Sequence, residues 1–105
     1  MSTKEQVAGT VSQEVLAAMA ARLRVLAHPQ RLRIVECLGR LSEAPVHRIM
    51  ADVCQPQATT SQHLNLMKRF GLIASERRGK EIWYRVADPK CLVILDCIKA
   101  KGSRT

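Results

Sequence analysis

The hydrophobic period of this chain changes once, at Gly71. Before it, apolar residues recur at helical spacing; after it come two β-prone runs, Leu72–Arg77 and Glu81–Val86, around Arg78-Gly79-Lys80. Ser12 N-caps a first helix with Leu16, Met19, Leu23 and Leu26 at 3-4-3 spacing, and His28-Pro29 ends it, with His28 expected to satisfy the terminal carbonyls. Pro29 opens a second helix that buries Ile34, Val35, Leu38 and Leu41. Ser42 to Pro45 reads as a short turn, Val46–Val53 as a two-turn helix, and Gln57–Phe70 as a helix ended by Gly71. Asp88-Pro89 starts a last helix running to about Lys99, with Ile94, Leu95 and Ile98 on one stripe. The expected fold is therefore mostly α with a small β-hairpin, in the order α-α-α-α-β-β-α. A single domain at 12–99 is expected, between a flexible arm (1–11) and a flexible tail (100–105).

At 105 residues the chain has room for one modest core. Its formal charge of +8 is uneven: residues 1–47 carry 6 basic and 4 acidic groups, the remainder 11 and 5. An excess of this kind points to a polyanion, either nucleic acid or an anionic membrane. No basic amphipathic helix with exposed bulky apolar residues supports the membrane, and no signal peptide or spanning stretch is present, so the expected location is cytoplasmic. Three aromatic residues are too few for a single-strand binder. No Ser/His/Asp grouping, phosphate loop or paired carboxylates mark an enzyme.

The polar placement is more specific. In the helix from Gln57, the residues Thr60, Leu64 and Met67 share the face that packs on the core, while Ala58, Gln62, Asn65 and Arg69, flanked by Thr59, share the opposite one. Amides and hydroxyls there suit base edges in a major groove, and Arg77, Arg78 and Lys80 around Gly79 suit phosphate or the minor groove. Separately, each could be an ordinary solvated surface. A helix pair, a basic hairpin and a charge excess together read as a winged helix-turn-helix that binds double-stranded DNA.

The segments LAHPQRLRIVECL, ATTSQHLNLMKRFGLI and RRGKEIWYRV resemble the ArsR/SmtB family of bacterial repressors. The matching positions are Leu26, Ala27, Pro29, Arg31 and Leu32; Ser61, His63 and Leu64; Gly71 and Leu72; and Arg78, Gly79 and Tyr84. The resemblance spans about residues 14–99. It implies a symmetric dimer joined through its first and last helices, which releases operator DNA when an inducer binds. Helix position and resemblance together assign Gln57, Thr59 and Gln62 to base edges, and Ser61, His63, Arg78 and Lys80 to the DNA backbone. The apolar stripes assign Leu16, Met19, Leu23, Leu95 and Ile98 to the dimer interface.

The inducer is less constrained. Pro45 and His47 stand where the family's arsenic site has two cysteines, and the last helix has Asp96 but no histidine for the family's zinc site. Cys37 lies one position later than the first cysteine of persulfide-sensing members, and Cys97 earlier than the second. Ala58 replaces a common hydroxyl near the start of the recognition helix. No cofactor is expected for folding. The first expectation is trivalent arsenic or antimony, or another thiophilic metal, held by Cys91 and Cys97, with Cys37 or Cys54 as a third ligand. Cys91, in the first turn of its helix, is expected to have a lowered pKa, although about 120° separates it from Cys97 around one regular helix. Cys37 also reads as a small core hydrophobe, Cys54 as a turn residue, and His47 with Cys54 as a weaker metal pair. Persulfide or redox sensing on the same fold, and a basic winged-helix interaction module without sequence reading, remain as alternatives.

Overall fold

The computed structural model describes residues 9–102. Helix α1 (Gln13–Leu26) begins where the Ser12 hydroxyl accepts from the Val15 N–H at 3.2 Å. Helix α2 (Pro29–Leu41) begins with proline at its first position. His28 is the N-cap of α2, its Nδ1 accepting from the Gln30 N–H at 3.1 Å. This corrects the expected carbonyl-capping role: the extended backbone of His28 turns its ring forward, onto the helix that follows.

Strand β1 (Ala44–Pro45) and helix α3 (Val46–Val53) follow, then helix α4 (Gln57–Arg69), strands β2 (Ile73–Arg78) and β3 (Glu81–Val86), and helix α5 (Lys90–Gly102). β2 and β3 pair antiparallel from Ile73↔Val86 to Arg78↔Glu81, closed by Gly79-Lys80. Gly79 has φ +64° while Lys80 is not left-handed, the pattern of a hairpin turn with glycine at its first central position. The segment expected as a turn before α3 instead adds a third strand, with Ala44 opposite Tyr84 and Pro45 opposite Trp83 in the order β1-β3-β2. Proline is tolerated there because β1 is an edge strand.

The core is one cluster. Ile34, Val35, Cys37 and Leu38 of α2 meet Ile49 and Val53 of α3, Leu64 and Met67 of α4, and Leu72 and Ile73 at the entry to the hairpin. Helices α2, α3 and α4 bury the stripes that their spacing predicts, whereas Leu16 and Leu23 of the α1 stripe and Ile98 of the α5 stripe stay exposed on the protomer. Helix α5 packs on α2 through Cys91 and Leu95, and the Leu92 side chain lies 2.9 Å from where a Cβ on Gly39 would stand. Asp88 caps α5 by accepting from the Lys90 N–H at 3.0 Å. The helix runs through residues 100–102, so the expected tail is helical there; residues 1–8 of the expected arm and 103–105 of the tail lie outside the described residues.

Among the described residues, two non-glycine residues have positive φ, Ser42 (+72°) after α2 and Cys54 (+55°) after α3. Ser42 is exposed and terminates α2 at a backbone angle that a Cβ disfavours. Ser42→Gly is expected to stabilise the fold by about 1 kcal/mol, read as a higher urea midpoint at unchanged slope.

Candidate nucleic-acid interface

Helix α4 is set against the core by Thr60, Leu64 and Met67, all 0 % exposed. The Thr60 hydroxyl donates to the Gln55 carbonyl at 3.4 Å, tying the first turn of α4 to the break after α3. Cys54 makes that break: its left-handed backbone ends α3 while its N–H still reaches the Met50 carbonyl at 2.9 Å. The opposite face of α4 presents Ala58, Gln62, Asn65 and Arg69 to solvent, Gln57 is exposed at the first position of the helix, and Thr59 and Ser61 are half-buried. No side chain caps the N-terminus of α4, so its first-turn N–H groups stay open at the same end.

His63 belongs to the other side. It is 8 % exposed, accepts from Arg31 Nε at 3.1 Å through Nδ1, and meets the His28 ring edge-on with centroids 4.7 Å apart. Burial foremost, then the His28 and Arg31 charges, lower its pKa below the usual 6.5. The expected phosphate contact is therefore corrected: the i+3 and i+4 rows of α4 carry His63 inward with Thr60 and Met67.

The wing is also wired differently from the expectation. Arg78 donates to both carboxylate oxygens of Glu43, at 3.0 and 2.6 Å, and to Glu76 at 3.0 Å, with its guanidinium 4.8 Å from the Trp83 ring centroid. The Arg78 guanidinium, hydrogen-bonded to it, holds the Glu43 carboxyl below its usual range. Arg78 thus latches the hairpin to the segment just before β1. Its assignment as a free phosphate contact is corrected in this structure. Lys80, at the tip, is exposed, and Arg77 donates to the Gly79 carbonyl at 3.3 Å. Glu43 and Arg78 lie 35 positions apart, so only the pairing of β1 with β3 brings them together. Lys68 of α4 donates to the Ser75 hydroxyl in the middle of β2 at 3.0 Å, and His47 Nδ1 lies 3.3 Å from Glu81 at the tip end of β3.

The thiols do not assemble. Cys37 and Cys91 are buried, whereas Cys54 and Cys97 are exposed. Burial, with the Asp52 carboxylate beside it, pushes the Cys37 thiol up to about 11. Burial and then Asp88 raise that of Cys91, which corrects the expected lowering by the helix terminus: desolvation outweighs the dipole. Among the described residues no group of three His, Cys, Asp or Glu side chains could hold a metal ion. His47, turned to Glu81, does not join Cys54, whose sulfur lies 3.6 Å from the Ala51 carbonyl.

The dimer stripe divides as well. Val11, Val15, Leu16 and Leu23 at the α1 end, and Val93 and Ile98 on α5, are the large exposed apolar residues among those described, and Met19 is half-buried. Leu95 is only 8 % exposed and belongs to the protomer's own core.

Comparison with known proteins agrees with this geometry. The family model for bacterial regulatory proteins of the arsR family matches residues 28–75. The HTH-type transcriptional repressor SmtB of Mycobacterium tuberculosis is 38% identical over 91 residues, covering 86% of this chain and 67% of that protein. The crystal structure of the transcriptional repressor PagR of Bacillus anthracis superposes with a TM-score of 0.75 at 33% identity, covering 83% of this chain and 99% of that one. A homodimeric winged helix-turn-helix DNA-binding domain from Mycobacterium bovis shares the fold, with a TM-score of 0.75 at 24% identity over 92% of this chain and 91% of that one. By its family match and its 38% identity to SmtB over two thirds of that protein, the chain belongs to the ArsR family of bacterial regulatory proteins and is a DNA-binding transcriptional repressor, not an enzyme.

Proposed function

We propose that this chain is a dimeric, sequence-reading repressor whose α4 enters the major groove of a two-fold operator. The carrying observation is the division of α4 into a buried face of Thr60, His63, Leu64 and Met67 and an exposed face of Gln57, Gln62 and Asn65 beside an uncapped N-terminus. Gln57, Thr59 and Gln62 read base edges, Ser61 and the open N–H groups meet phosphate, and Lys80 at the wing tip meets the backbone alongside. Arg78 supports them by holding the wing in place. Dimerisation uses Leu16, Met19, Leu23 and Ile98, with Leu95 beneath them. The homodimeric M. bovis domain supports this at the level of the fold.

Release by a thiophilic metal, a metalloid or an oxidant would begin at the exposed thiols, of which Cys97 lies on the dimerisation helix α5. A site that joins Cys97 to the buried Cys91 requires the first turn of α5 to open. Binding there would shift α5 and, through the interface, the spacing of the two recognition helices.

A duplex selected by this protein from a random-sequence library tests the DNA reading. Gln62→Ala is expected to cost about 1–3 kcal/mol and to relax preference at one base pair in each half-site. Lys80→Ala should weaken selected and scrambled duplexes alike and make the salt dependence shallower. Equal affinity for selected and scrambled duplexes would favour an interaction module that keeps the fold without reading sequence.

A further inference from the structure

Arg31 joins three elements. From α2 its Nε donates to His63 on the buried side of α4, and its Nη1 donates to the Val25 carbonyl near the end of α1 at 3.0 Å. His28, which caps α2, closes the cluster against the same His63 ring. A half-buried guanidinium thus connects the helix that carries the exposed apolar stripe to the helix that faces DNA. We propose that His63 is a positioning residue for DNA binding: by accepting from Arg31 it fixes α4 relative to α1, and its protonation releases operator DNA. The inference rests on the assignment of α4 to DNA.

The chemistry of the contact gives it a sign. Nδ1 of neutral His63 is an acceptor; once protonated it is a donor and a cation, 3.1 Å from a guanidinium. An attractive hydrogen bond then becomes a cation–cation contact beside the His28 ring. His28 and Arg31 are the charged or titratable groups that act on His63. Within α4 its neighbours at three and four positions are Thr59, Thr60, Leu66 and Met67, none of which carries charge. Burial already favours the neutral ring, so the native arrangement is complete above the ordinary histidine value of 6.5 and is lost only as pH falls through the lowered value of the buried ring. Acidification ordinarily strengthens DNA binding, because each added proton makes the protein more cationic. A loss of affinity in acid therefore isolates the buried site.

The experiment is fluorescence anisotropy of the full chain on a duplex selected at about pH 7.5, repeated at about pH 5.5, with circular dichroism showing that the protein stays folded at both. Wild type is expected to lose affinity severalfold on acidification, with about tenfold per protomer as the limit for a ring whose pKa lies below 6.5. His63→Gln, whose side-chain carbonyl is an acceptor that does not titrate, is expected to lose no affinity on acidification. His63→Leu, which keeps bulk and removes the acceptor, should bind weakly at both. Folded wild type whose affinity is flat or rises in acid overturns the proposal, as does His63→Gln with the wild-type pH profile. Failure of wild type to bind any duplex at the higher pH overturns the DNA assignment itself, a result distinct from both.

Discussion

Leu23→Glu should convert the protein to a folded monomer and reduce its affinity for a two-fold operator by about 10²–10⁴-fold, the advantage lost when two linked half-site contacts become one. Leu23 is 43 % exposed on the protomer, so a carboxylate there is solvated in the monomer and meets an apolar surface only on dimerisation. Among the described residues, Val11, Val15, Leu16, Leu23, Val93 and Ile98 form the exposed large apolar set, and all lie on α1, just before it, or on α5. Concentration of such residues on two elements marks a surface for association. Sedimentation velocity distinguishes the two masses, and an intact dimer that binds DNA like wild type would remove α1 from the interface. Leu95→Glu provides the contrast. Its side chain sits in the protomer core, so the charge should unfold the chain rather than merely split a dimer.

Alkylation by iodoacetamide at neutral pH is expected to modify Cys54 and Cys97 quickly and Cys37 and Cys91 slowly. The attacking species is the thiolate. Raising Cys37 from 9.0 to about 11 lowers its thiolate fraction about 100-fold, and burial adds a steric barrier. Asp88 beside the buried Cys91 acts in the same direction. Peptide mapping should therefore show two fast and two slow sites in the native protein, and four fast sites in urea. The same proton linkage gives an alkaline limit to stability. Folded Cys37 keeps its proton where the unfolded chain loses it, so its contribution is complete below pH 9.0 and is lost as pH rises toward about 11. Labelling of Cys91 as fast as Cys97 would show that the first turn of α5 opens readily, restoring the pair expected from their spacing as an effector site.

Most of the fold is readable along the chain because its signals are local. Ser12, Pro29, Gly79 and Asp88 each act within a turn of themselves, and their caps and turn appear where the residue types place them. Ile34, Val35, Leu38, Ile49, Leu64 and Met67 repeat at helical spacing and are buried. Strand β1 escaped because a two-residue strand has no period; only its pairing with β3 makes Ala44-Pro45 a strand. The candidate site was legible in part for the same reason. Helical geometry puts Gln62 and Asn65 opposite Leu64 and Met67, but it cannot say that His63, on the border between the faces, is claimed by Arg31 32 positions away.

The amino-acid sequence by itself determined the order of helices and hairpin, the polar and apolar faces of α4, and the concentration of positive charge beyond His47. Period, capping and charge are properties of neighbouring residues, so no knowledge of packing was needed. Tertiary structure alone decided the state of each polar group: Arg78 bound by Glu43, His63 turned to Arg31, Cys91 in the core, and Cys97 in solvent. These outcomes depend on which distant surface covers a side chain. Desolvation and the arrival of a partner from another element set its chemistry, and neither is encoded by the residue's own stretch of chain.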